Sequence, residues 1–146
     1  MLLARVGLAT WISIIFAVTL SRSQQVGGGI SFVAEVLAWL TGQPLSAVLA
    51  VLLRLEWPMN IVLFLPLGFL LPLAFRSLRL AAWTGLAISS AVAFVLSASV
   101  EIAQLLFLPD RYPSLLDVLA NTLGGFFGYA IYKAADAVWL RLKVKR

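Results

Sequence analysis

The chain contains no cysteine and no histidine. Without cysteine there is no thiol nucleophile, no disulfide framework and no thiolate zinc site. Without histidine the commonest general base is missing, along with the other usual zinc ligand. Charge is scarce too: 12% of the 146 residues are Asp, Glu, Lys or Arg, against about a quarter in a soluble domain. What takes its place is hydrocarbon, since 62% of the residues are hydrophobic. A chain this short has too little interior to hide so much apolar surface from water. Its natural solvent is therefore lipid, and its length suits one domain over residues 1–146. No metal and no cofactor are expected.

The net charge of +5 invites a nucleic-acid reading, but its distribution argues against one. Arg141, Lys143, Lys145 and Arg146 form a C-terminal tail, and Arg76 and Arg79 share one short loop. These residues flank apolar segments, where basic side chains face the cytoplasm and anionic lipid.

The apolar runs predict an all-α, polytopic transmembrane helix bundle with spans at about 2–20, 58–75, 80–107 and 115–140. No small-residue cleavage site follows the first run, which reads as a retained helix rather than a signal peptide. Pro66 and Pro72 lie inside the second span and predict a kink. Between the first two spans, 30–40 and 45–53 are apolar pieces broken at Thr41-Gly42-Gln43-Pro44. Each is too short to cross a bilayer. They read as short interfacial or re-entrant helices, or else as one broken spanning helix.

With four spans, both termini and the 76–79 turn share one side. That side carries Arg5, Arg76, Arg79 and the basic tail, while Arg22, Arg54 and Arg111 fall on the other. The positive-inside rule then places both termini in the cytoplasm of an inner or plasma membrane.

This threading brings polar residues of three spans to one depth, near the outer ends. Asn60 starts the second span, Glu101 and Gln104 end the third, and Asp117 and Asn121 start the fourth. Ser97, Glu101 and Gln104 share one helix face, as do Asp117 and Asn121. Arg111, in the outer loop, is the natural charge partner of Glu101 or Asp117. Charges inside a membrane face protein or water and often mark function. Asn60, Ser97 and Asn121 also suit interhelical hydrogen bonding alone. Gly124 and Gly128 form a G-x-x-x-G pair that lets another helix approach closely.

Two blocks of residues resemble the VanZ-like family of membrane proteins, named for a teicoplanin-resistance protein. The first is Asn60-Ile-Val-Leu-Phe-Leu-Pro-Leu-Gly-Phe-Leu-Leu-Pro72, similar to the family's N-x-x-L-F-x-P-L-G-F-x-L-P. The second is Glu101-Ile-Ala-Gln104, then Arg111, then Asp117-Val-Leu-Ala-Asn121-Thr-Leu-Gly-Gly-Phe-Phe-Gly128. It resembles the family's E-x-x-Q, R, D-x-x-x-N-T-x-G-x-x-x-G series. Between Arg111 and Asp117 this chain lacks the extra acidic residues that some members carry. The resemblance implies a cell-envelope role and, for a few members, glycopeptide resistance.

Three functions compete. The first is binding or handling of an envelope amphiphile, with Asn60, Glu101, Gln104, Arg111, Asp117 and Asn121 as the ligand-binding set. Arginine supplies forked donors for a phosphate or sugar headgroup, and the partner is a membrane lipid or lipid-linked envelope precursor. The second is an intramembrane enzyme on such a substrate, with Glu101 as the acid–base candidate; no nucleophile is named by the sequence. The third is a small assembly partner whose glycine face docks another membrane protein.

Overall fold

The computed structural model describes residues 2–20, 28–48, 56–78, 80–108 and 113–144, with the backbone alone at 28–34 and 56. Among them there is helix and no strand. In chain order the helices are α1 (Leu2–Thr19), α2 (Gly28–Thr41), α3 (Glu56–Ala74), α4 (Ala82–Phe107) and α5 (Leu115–Val144). A 3-10 turn at Arg76–Leu78 links α3 towards α4. Among the described residues, α1, α3, α4 and α5 are long and apolar enough to cross a membrane. Their surfaces suit lipid: Trp83, Phe94, Ile102 and Phe107 on α4 all face outward, more apolar exposure than water tolerates on so small a protein.

α2 has 14 residues, too few to span a bilayer of ~30 Å at 1.5 Å per residue. It stops at Gly42, whose φ of 68° and N–H bond to the Ala38 carbonyl (2.9 Å) are those of a left-handed helix cap. Residues 45–48 form one further helical turn; the rest of the second apolar piece lies outside the described residues. Trp39 and Leu40 on α2 are largely exposed.

α3 is the hub. Its most extensive partner is α5, and it also packs on α1 and α4. The α3–α5 contact is a backbone contact. A Cβ on Gly68 would fall on the Gly125 carbonyl; one on Gly124 would meet the Ile61 carbonyl and one on Gly128 the Leu65 carbonyl. Gly125 also faces α4, where a Cβ would stand 2.5 Å from Ala93 Cβ. Small residues permit such approach, and dispersion and weak polar contacts stabilise it where lipid supplies no hydrophobic drive. Phe64, Leu67, Ile15 and Ala93 fill the remaining interior.

The helix assignment of α3 runs unbroken through Pro66 and Pro72. Each proline removes a donor to the carbonyl four residues earlier. Just beside the first of those carbonyls, Leu63 O accepts the Trp11 indole N–H at 2.9 Å, tying α1 to α3. At its C-terminal end, Arg5 Nε donates to Ala74 O at 3.3 Å, a favourable place for a cation. Arg76 joins Asp136 of α5 at 2.7 Å. α5 continues past residue 140 through Arg141 and Lys143. Both are good helix formers, and basic residues suit a helix C-terminus.

Candidate functional site

At the end of the bundle away from the termini, α4 turns a polar stripe inward. Ser97, Glu101 and Gln104 are all buried there, at spacings of four and three that keep them on one helix face. Each is held by a different part of the chain. Gln104 Nε2 donates to the Thr19 carbonyl at 2.9 Å, one of the last-turn carbonyls of α1 that no helical N–H serves. Glu101 Oε2 accepts the Ser114 N–H at 2.7 Å. One turn deeper, Asn121 Nδ2 of α5 donates to Ser97 Oγ at 2.8 Å.

Ser114 stands just ahead of α5, and its hydroxyl accepts the Asp117 N–H at 3.3 Å. That is the behaviour of an N-cap serine. Asp117 occupies the first turn of α5, where negative charge is favoured. The Glu101 carboxylate therefore meets the start of α5, in a field that stabilises an anion. Glu101 and Asp117 each make further interactions beyond these. Trp57 closes the same end, its indole donating to the Leu116 carbonyl at 3.2 Å.

Among the sequence candidates, Glu101, Gln104, Asp117 and Asn121 thus gather at one end of the bundle. Asn60 is half-buried on the stripe of the buried Phe64 and Leu67. It makes no hydrogen bond to the others among the described residues. Arg111 lies outside the described residues, and so does its pairing with Glu101 or Asp117. Gly124 and Gly128 are covered from within the chain by α3. Thr19 and Ser114 were not foreseen as members of the site. Ser114-Leu-Leu-Asp117 is a helix-start pattern, so Ser114 was findable. Thr19 contributes a backbone carbonyl, which no side-chain pattern announces.

One atom stands apart. Asn121 Oδ1 is buried and has no hydrogen-bond partner among the described residues. No group of three or more acidic residues suited to a metal occurs among them either.

The chain is similar to known proteins over most of its length. The VanZ/LLP1 family model matches residues 6–139. The chain belongs to the VanZ/LLP1 family. It is similar to Protein VanZ of Enterococcus faecium, at 34% identity over 87 residues, which cover 60% of this chain and 50% of that relative. The chain thus matches about half the length of that VanZ protein. No solved structure matches it. The match takes in two of the four membrane-crossing helices whole and most of the first and the last, so this is a multi-pass membrane protein of the VanZ type.

Proposed function

We propose that this VanZ-family protein binds and handles an amphiphile of the cell envelope at the polar end of its bundle. Both termini then lie in the cytoplasm, and the end of the bundle that buries Glu101 and Asn121 lies towards the outer face. The observation that carries this reading is the unpaired Asn121 Oδ1. Leaving a buried acceptor unmet costs about 1–3 kcal/mol. A headgroup hydroxyl or amine would supply the missing donor, and Glu101, one turn nearer the end, would accept a second. Arg111, two residues before Pro113, would add forked donors for a phosphate. Apolar outer helix faces suit the tail. The resemblance to a family named for teicoplanin resistance supports an envelope ligand.

The test is thermal unfolding of purified protein in nanodiscs, titrated with a polyprenyl-phosphate-linked sugar. A ligand that binds the folded state raises Tm with concentration. The wild type is expected to show that rise. Glu101→Gln and Asn121→Leu are expected to lose it while remaining folded. A wild type without a rise, or variants that keep it in full, would overturn the reading.

A further inference from the structure

The opposite end of the bundle holds a cavity of about 480 Å³ between α3, the 76–78 turn, α4 and α5. That is the size of an ordinary small-molecule site. Arg76, Lys133 and Asp136 line its mouth, and Leu71, Val92 and Tyr129 its deeper wall. Arg76 and Asp136 pair at 2.7 Å, whereas Lys133 has no ion-pair partner among the described residues. Tyr129 is 6% exposed, yet its hydroxyl makes no hydrogen bond among the described residues. That hydroxyl lies against Gly85, where a Cβ would stand 2.5 Å from it. Gly85 also lines the cavity, so a glycine makes room for this hydroxyl at the cavity wall.

The groups define their ligand. An ammonium seeks an anion, a phenol hydroxyl at the cavity wall seeks an acceptor, and the walls between them are hydrocarbon. Lys133 and Tyr129 are four apart on α5 and share a face, separated by about 6 Å along the axis. The phosphate and the ester carbonyls of a glycerophospholipid are acceptors at such a spacing, with acyl chains to follow. Arg5, Arg141 and Lys143 lie at the same end and draw anionic lipid to that surface. We propose that this cavity binds one anionic glycerophospholipid from the leaflet on the side of the termini. Its phosphate meets Lys133 and Arg76, its ester region meets Tyr129, and one acyl chain lies along Leu71 and Val92. The site is separate from the polar end and does not depend on it.

Native mass spectrometry of the full chain, released from detergent with dioleoyl phosphatidylglycerol or dioleoyl phosphatidylcholine, tests this. One phosphatidylglycerol is expected to be retained with about tenfold preference. Lys133→Gln and Tyr129→Phe are each expected to erase most of that preference. Ile88→Trp adds bulk at the cavity wall and is expected to abolish retention. Glu101→Gln is expected to leave retention unchanged, so failure here is separable from failure at the polar end. Equal retention of both lipids, full preference in Lys133→Gln, or equally tight binding of glycerol phosphate alone would overturn the proposal.

Discussion

At the scale of single residues, the polar end is a set of unequal bonds. Ser97 is fully buried and is the partner of the Asn121 amide. An interhelical hydrogen bond in a membrane is worth about 0.6 kcal/mol on average. Ser97→Ala does more than delete one such bond, because Asn121 already lacks a partner for Oδ1. With Nδ2 also unmet, the expected loss is about 1–2 kcal/mol, read by unfolding in mixed micelles. Glu101→Gln keeps a carbonyl oxygen that can still accept the Ser114 N–H. It is expected to cost less than Ser97→Ala while removing the charge. The reverse order would show that Glu101 is chiefly a structural ion. The sequence made the side-chain candidates legible, because Glu, Gln and Asn are conspicuous in hydrocarbon. It could not show that Gln104 serves a backbone carbonyl of α1, since every residue carries one.

At the scale of helices, the account rests on α3 against α5. Apolar residues dominate both, and the seam is nonetheless marked by glycine. Gly128 sits where any Cβ would meet the Leu65 carbonyl and Gly68 Cα. A backbone cannot step aside as a flexible side chain can. Gly128→Ala is therefore expected to destabilise the bundle by about 1–3 kcal/mol through overpacking, seen as reduced abundance and lower Tm. An unchanged Tm would mean that the two helices are not in backbone contact. The G-x-x-x-G pattern announced a close approach but not its partner. Only the fold shows that α3 answers it with Gly68 and occupies that surface. Helix ends were readable to within a few residues. The exception was the end of α5, which runs past residue 140 because Arg141 and Lys143 continue a helix readily. The cavity beside Tyr129 was not readable. It depends on Gly85 of α4 facing Tyr129 of α5, a pairing between helices that spacing within one helix does not reveal.

At the scale of the whole molecule, the bundle has two chemically different ends. One gathers Glu101, Gln104, Asp117 and Asn121. The other carries Arg5, Arg76, Lys133 and the basic end of α5. Hydropathy made the four membrane-crossing helices legible, because backbone in lipid must bond within its own helix. The distribution of Lys and Arg supplied the orientation as an inference. An envelope ligand at the polar end requires that end to face out. The absence of cysteine makes this directly measurable, since a single introduced thiol is the only one to label. Pro113→Cys lies in the exposed stretch before α5 and Ser77→Cys in the exposed 3-10 turn. Intact cells are treated with a membrane-impermeant maleimide before and after permeabilisation. Labelling of Pro113→Cys in intact cells, with Ser77→Cys labelled only after permeabilisation, is the predicted result. The opposite pattern, or both thiols labelled from one side, would contradict it.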